Sequence, residues 1–283
     1  SVMAISASVV KELRDRTGLG MMDCKKALLE ADGDIEAAIE VLRKSSGMKA
    51  AKKAGRIAAD GMIGAKIEGG KGVIVEVNCE TDFAAKDAGF QAFVSTVTNR
   101  IFEMGRTDID LLGIETEREA LVQKIGENIS IRRADLFDGE DKVFEYIHTN
   151  GKIGVLIAME GGTDELGKDV AMHIAAMNPI VVSPADAPAD LLSKERDIYA
   201  AQAQESGKPP EIIEKMIDGR IKKYLSEISL LEQAFVKDSD KNVGKLLESE
   251  GSSVIRFVRF EVGEGIEKGE EDFAAEVNKQ LGN

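Results

Sequence analysis

The sequence predicts an α+β protein whose core is one small unit used twice, and three observations carry that expectation. The first is a repeat at a fixed offset of 82 residues: Gly72-Val73-Ile74-Val75-Glu76-Val77 aligns with Gly154-Val155-Leu156-Ile157-Ala158-Met159, Thr81-Asp82 with Thr163-Asp164, and Lys86-Asp87 with Lys168-Asp169. The second is that each copy sets strand-like segments around a glycine-containing turn and follows them with a helical pattern, which suits a small antiparallel sheet with helices on one side. The third is that purely helical patterns precede, interrupt and follow the duplicated part. Where the copies agree they report a shared fold, so a position where they disagree is a candidate for specialised function. The sharpest disagreement is Phe83 against Glu165.

Residues 3–56 are expected to form a three-helix bundle and a linker. Val9, Val10 and Leu13 recur at helical spacing over residues 6–16, before Thr17-Gly18-Leu19-Gly20 breaks the pattern. Residues 21–31 and 35–45 repeat the arrangement, with Asp32-Gly33-Asp34 between them as a stop and an N-cap. Lys49, Lys52, Lys53 and Arg56 then mark a basic, Ala-rich segment that reads as a helical linker.

Residues 57–140 make the first copy. Strands at 62–67 and 73–77 flank Glu68-Gly69-Gly70-Lys71-Gly72, Phe90, Phe93, Val94 and Val97 share one face of a helix over 90–101, and residues 128–132 alternate again as a strand. The second copy opens in 141–186, with strands at 143–148 and 153–159 around Asn150-Gly151, a pair suited to a type I′ turn, and a helix near 169–177 closed by Asn178-Pro179. Its last strand is delayed to 254–262, within 229–263, because residues 187–228 intervene. There, two helical patterns are joined by Ser206-Gly207-Lys208-Pro209-Pro210, and Ile212, Ile213, Met216, Ile217, Ile221, Tyr224 and Leu225 follow 3.6-residue spacing, the pattern of an inserted αα-hairpin. In the acidic segment 264–283, Phe273, Ala274 and Val277 suffice for a short amphipathic C-terminal helix.

Composition narrows the function. The net charge is −14, yet residues 1–56 hold 11 Lys and Arg against 8 Asp and Glu, a local +3 that leaves −17 on the remainder. An acidic body disfavours a direct grip on nucleic acid and suits protein partners. Two cysteines far apart, Cys24 and Cys79, fit a reducing cytosol and a cytoplasmic location. No apolar run approaches the roughly 18 to 20 residues that span a bilayer, and Ser1-Val2 ahead of Met3 reads as a cloning remnant rather than a targeting signal.

Catalytic constellations are missing from the sequence. Gly-Lys pairs at Gly70, Gly151, Gly207 and Gly244 belong to no G-x-x-x-x-G-K-[ST] string, and His148 and His173, the two histidines, lack the spacing of a zinc site. Cys79 before Glu80-Thr81-Asp82 could serve as a nucleophile, but its acidic neighbours would raise the thiol pKa, so a buried cysteine at a strand end is the better reading.

The string Leu13-Arg14-Asp15-Arg16-Thr17-Gly18-Leu19-Gly20-Met21-Met22-Asp23-Cys24-Lys25-Lys26-Ala27-Leu28, followed by Gly33-Asp34-Ile35-Glu36-Ala37-Ala38, resembles the N-terminal module of the bacterial translation elongation factor Ts family. The similarity continues in Asn78-Cys79-Glu80-Thr81-Asp82-Phe83, Lys124-Ile125-Gly126-Glu127-Asn128, Gly207-Lys208-Pro209 and Arg259-Phe260-Glu261-Val262-Gly263-Glu264-Gly265, in order over essentially the whole chain. It implies a UBA-like N-terminal module, a duplicated core, an inserted hairpin and a C-terminal module. It also implies a guanine-nucleotide exchange factor for elongation factor Tu that has no covalent chemistry and no cofactor or metal of its own, alone or as a homodimer or 2:2 complex. In that family the Thr-Asp-Phe motif enters the partner's GTPase domain near its magnesium site, which points to Thr81, Asp82, Phe83 and Ala84, the last in place of a common Val. Arg14, Met21, Met22 and Lys25 match the partner-binding part of the N-terminal motif, with bundle packing the alternative for Met21 or Met22. Ile125, Gly126 and His148 match further partner-facing positions, although Thr149-Asn150 beside His148 replaces small glycine-rich residues, and His173 reads as a helix packing or surface residue. An adaptor that holds a partner without altering its nucleotide, and a thiol hydrolase built on Cys79, are the rival readings.

Overall fold

Side-chain caps start the first and third helices in the computed structural model, which describes residues 5–148 and 150–267. Ser6 Oγ accepts from the Val9 N–H and the Asp34 carboxylate from the Ala37 N–H, satisfying helix-end donors. The helices are α1 (Ala7–Thr17), α2 (Met21–Glu30) and α3 (Ile35–Lys53), closed around Leu13, Cys24, Leu28, Ala38 and Leu42. The basic segment expected as a helical linker is helical through Lys49, Lys52 and Lys53, the last turns of α3, and Arg56 lies just beyond it.

Strands β1 (Asp60–Glu68) and β2 (Lys71–Cys79) form the expected hairpin. Helices α4 (Asp82–Lys86), α5 (Ala88–Met104) and α6 (Glu115–Ile125) follow, and β3 (Ser130–Phe137) completes a sheet of order β1-β2-β3. The sequence pattern did not reveal α6, whose buried hydrophobic residues are only Leu121 and Val122. Its role is to receive α3: Ser46 donates to Gln123, Arg43 reaches Thr116 at 3.5 Å, and Ala50 enters the core of the first unit.

The second unit repeats the plan with β4 (Lys142–Ile147), β5 (Ile153–Glu160) and α7 (Asp164–Met177). Its hairpin is not closed by a two-residue Asn150-Gly151 turn. Ile147 pairs with Gly154, the His148 N–H reaches the Ile153 carbonyl, and the turn is closed by the Gly151 N–H on the His148 carbonyl, giving a longer loop. The chain then leaves as α8 (Ala189–Gln204) and α9 (Pro210–Ile228), two helices that bury Ile217 and Ile221, and returns beside its point of departure. The Val181 N–H donates to Ile228 O at 3.2 Å, and the Leu230 N–H to Val181 O at 2.9 Å. A small ribbon of β6 (Ala234–Phe235) and β7 (Asp238–Asn242) and the short α10 (Val243–Ser249), none foreseen from the sequence, lead into β8 (Ser253–Glu261), which finishes a sheet of order β4-β5-β8. The amphipathic helix expected around Phe273 lies outside the described residues. Among those described, no helix is long and apolar enough to cross a membrane.

Period-2 alternation explains how the two units meet. Val73, Val75 and Val77 of β2 face the helices of their own unit, and their counterparts Val155, Ile157 and Met159 face α7. The intervening Ile74 and Leu156 point the other way, into a cluster with Ile63, Phe137, Val143 and Phe260 shared by both sheets. Each apolar run is therefore covered on both faces, and the layers are helices, sheet, sheet, helices. Glycines of the repeat sit where the sheets touch. A Cβ on Gly72 would lie 2.7 Å from Val143 Cγ1, and one on Gly154 would lie 2.5 Å from Ile63 Cγ2.

Glu76 occupies the position that Ala158 holds in the other copy, and its carboxylate is fully buried in this interface. A bulge opposite Glu76 and Val77 places one extra residue, Arg132, beside Arg133. Arg133 Nε donates to the carboxylate at 2.5 Å and Arg132 at 3.1 Å, with Asn78 Nδ2 and the Gly263 N–H each at 2.8 Å. Burial pushes this carboxyl up, but the Gly263, Asn78 and Arg133 donors outweigh it and hold the group below the ordinary carboxylate range.

Three outcomes are expected. Gly154→Ala should cost about 1–3 kcal/mol in urea denaturation, because an added methyl group overpacks the interface. Glu76→Gln should cost about 2–3 kcal/mol at neutral pH by stranding two partly buried guanidinium groups. Since the folded pKa is depressed, that difference is complete above the unfolded carboxylate value, roughly pH 4.3, and should shrink in urea melts as pH falls through the lower folded value. Replacing residues 187–226 by a short Gly-Ser bridge should preserve cooperative thermal unfolding of the remainder, since the chain exits and re-enters side by side.

Candidate functional site

The end of β2 hands the chain to α4 through a capped turn. Thr81 is extended (φ −126°, ψ 159°), and its Oγ accepts from the Ala84 N–H at 3.2 Å. Thr163, its counterpart, caps α7 in the same way through the Leu166 N–H at 3.1 Å. The copies then part. The second continues as one helix to Met177, whereas the first stops after Lys86 and restarts when the Asp87 side chain accepts from the Phe90 N–H. The Thr81-Asp82-Phe83 segment thus stands on a single turn of its own.

Phe83 on that turn is 82% exposed, the most exposed large hydrophobic side chain among the described residues. Asp82 beside it is also exposed and lies 3.8 Å from Lys86. Glu165, the residue aligned with Phe83, is exposed too, so the site is a surface position in both copies. Ala84 is different: it is 5% exposed and packs in the first core, as its counterpart Leu166 does in the second. Thr81 is fully engaged by the fold, since its hydroxyl donates to Glu127 while accepting from Ala84.

The loop after α6 anchors this turn. Gly126 ends the helix in the left-handed region at φ 84°, where a side chain would be strained, and turns the chain towards Thr81. The Glu127 carboxylate accepts from the Glu80 N–H and Thr81 N–H, each at 2.9 Å, and from Thr81 Oγ at 2.6 Å. In return, the Glu80 carboxylate accepts from the Asn128 N–H at 2.7 Å, with Arg56 at 3.6 Å. Asn128 Nδ2 donates to Arg56 O at 2.8 Å, tying in the segment that follows α3. Ile125 is half-buried against the first core and Gly126 is exposed.

Other candidates from the sequence border the same region. His148 is exposed at the tip of the β4–β5 hairpin, 3.4 Å from the Tyr146 hydroxyl. That hairpin rests on β1, through the Ile63 N–H on Gly151 O and the Lys152 ammonium on Asp60, and Asp60 pairs with Cys79. Arg14, Met21, Met22 and Lys25 are all exposed on the N-terminal module, the two methionines at 56% and 76%. Met21 and Met22 therefore do not fill the bundle, contrary to the packing alternative. A groove lined by Arg14, Gly20 and Asp23 on one side and Gln123 and Lys124 on the other joins this module to the end of α6.

Two reactive side chains belong to the interior. Cys79 is fully buried and its thiol donates to Thr81 O at 3.2 Å; burial, and then Asp60 and Glu127, push its pKa up to about 12 against a lesser opposing effect of Lys152. Such a thiol is no nucleophile at neutral pH. His173 is buried, not on the surface: its Nδ1 accepts from the Val236 N–H at 3.1 Å, so its Nε2 carries the proton facing Gln233 Oε1 at 2.9 Å. Burial lowers its pKa against the opposing bond to Gln233. The anchoring residues Glu80, Glu127 and Asn128 were missed as site residues, although they stand inside the motifs that carried the resemblance.

Comparison with known proteins converges on one family. The family described as Elongation factor TS matches residues 80–264. The chain is 60% identical to "Elongation factor Ts" of Hahella chejuensis, an alignment that covers 98% of this chain and 99% of that protein. It is 58% identical to the proteins of the same name from Saccharophagus degradans and Teredinibacter turnerae, in each case over 99% of this chain and 98% of the relative.

Burial of both cysteines has a direct chemical test. In Ellman titration of the native protein at pH 8, neither Cys24 nor Cys79 should react on the time scale of a free thiol, and both should react at once in denaturant.

Proposed function

The chain belongs to the elongation factor Ts family, and we propose that it acts as a guanine-nucleotide exchange factor, binding elongation factor Tu in its GDP form and promoting GDP release. The observation that supports this reading best is Phe83: a large apolar side chain, 82% exposed, on a turn whose backbone is held by Glu127. An exposed aromatic on a rigid support gains by entering a partner.

A GTPase holds GDP through phosphate contacts and a magnesium ion, so an exchange factor has to favour the state in which both are disturbed. Coupling is reciprocal: by whatever factor this protein weakens GDP, GDP weakens this protein. A shift of about 10⁴ requires on the order of 5.5 kcal/mol of differential binding. Burying one phenylalanine supplies roughly 1.5–3 kcal/mol, so Phe83 works together with other contacts. In this reading Phe83 is the wedge, and the Asp82 carboxylate acts beside it towards the partner's ion site. Thr81 and Ala84 build the turn from beneath. Arg14, Met21, Met22 and Lys25 of the UBA-like module contribute affinity, and Ile125, Gly126 and His148 extend the contact along the same edge.

Release of fluorescent GDP from elongation factor Tu tests this. Phe83→Ala should slow stimulated release about ten- to hundredfold, the equivalent of ~1.5–3 kcal/mol, at an unchanged melting temperature. Asp82→Ala should act in the same direction and Glu165→Ala should do little. Undiminished exchange by folded Phe83→Ala would remove the wedge assignment, and binding without acceleration by the wild-type chain would favour an adaptor.

A further inference from the structure

We infer that Glu127 is the positioning residue of the exchange surface: its carboxylate holds the Phe83 turn at a fixed place relative to Ile125 and Gly126, so that the aromatic ring is presented already ordered. The inference rests on the exchange reading and adds a residue outside the contact surface to it.

Three features set Glu127 apart from an ordinary loop carboxylate. It takes three donors at once, the Glu80 N–H, the Thr81 N–H and the Thr81 hydroxyl, all between 2.6 and 2.9 Å. Those donors bracket the start of α4, two residues before Phe83, so the turn is fixed from outside its own short helix. A five-residue helix cannot hold itself, because nucleation costs more than one turn of hydrogen bonds returns. The second copy has a different solution: there the Thr163 cap leads into a fourteen-residue helix with four buried residues in its first two turns, Leu166, Gly167, Val170 and Ala171. Phe83 stands on the copy that depends on a clamp.

The clamp also joins distant segments. Glu127 lies next to Gly126 in the chain, while Asn128 beyond it donates to the Glu80 carboxylate and to Arg56 O at the end of the N-terminal module. One dipeptide therefore sets the spacing between the Phe83 turn, the α6 terminus and the residues following α3. An ordered wedge loses less conformational freedom on binding than a mobile one. Removing the clamp should thus impair the step in which Phe83 enters the partner more than the initial association through other contacts.

The experiment combines stimulated GDP release with a double-mutant cycle on the full chain: wild type, Glu127→Gln, Glu127→Ala, Phe83→Ala and the two doubles. The Glu127 variants are expected to lower the maximal release rate about tenfold, the factor carried by one hydrogen bond to a charged group, while the half-saturating concentration changes little. In the Phe83→Ala background they should have almost no further effect, because an absent wedge cannot be misplaced. Equal losses in both backgrounds, or a loss confined to half-saturation or to melting temperature, would show Glu127 to be merely structural and overturn the inference. Amide hydrogen exchange keeps the two questions apart. Protection at Glu80 and Thr81 should fall in Glu127→Ala while that of β2 and α5 is retained, whether or not the wild type accelerates release; unchanged protection there overturns the positioning role, and a wild type without acceleration overturns the exchange reading.

Discussion

Close contact between two sheets at glycine is the constraint on which the rest of the molecule depends. Gly72 and Gly154 occupy the same place in the two copies, and at each the facing side chains fill the space a Cβ would need. This approach lets Ile74 and Leu156 reach a shared core, so the central strands β2 and β5 are buried on both faces. The same closeness buries Glu76, which would be untenable without donors. They come from a bulge that presents two arginines, and from the Gly263 N–H after β8. Arg133 reaches on to Glu261 O, and Arg259 to Ala175 O at the end of α7, so the strand that finishes the second unit is strapped to the first.

From that frame the surface follows. Packed sheets fix where β2 ends and where the β4–β5 hairpin rests on β1, which places Thr81 and His148 on one edge. The α3–α6 contact then sets the N-terminal module beside the same edge. The exposed surface at this edge is assembled from three segments far apart in sequence but held by buried polar and apolar contacts. Contacts that are already ordered lose little free energy to their own ordering when the surface is bound.

Divergence between the two copies explains why only the first raises an exposed aromatic on a separate turn. Both copies keep the threonine cap, the bulge after the equivalent of residue 76 and the close-packed glycine. The first copy breaks its helix at Asp87 and raises Phe83 on the isolated turn, whereas the second keeps its helix whole and uses the space after it for the inserted hairpin and the β6–β7 ribbon. His173, with Val236 on one nitrogen and Gln233 on the other, braces that ribbon against α7.

Local signals were legible in the chain. The repeat, the cap at Asp34, the Glu68-Gly69-Gly70 turn and the helical periodicities of 90–101 and 212–225 are determined by spacing and by side-chain chemistry acting over a few residues. The contrast of Phe83 with Glu165 was equally visible, because a repeat supplies its own reference. Tertiary structure decided the rest. Helix α6 shows weak apolar periodicity since it is a bridge between α3 and α5, and β6, β7 and α10 are too short to carry a period of their own. The exposure of Met21 and Met22, the burial of Ala84 and the clamp at Glu127 depend on which surfaces meet, and that is a property of segments separated by dozens of residues, whose contacts leave no regular pattern along the chain.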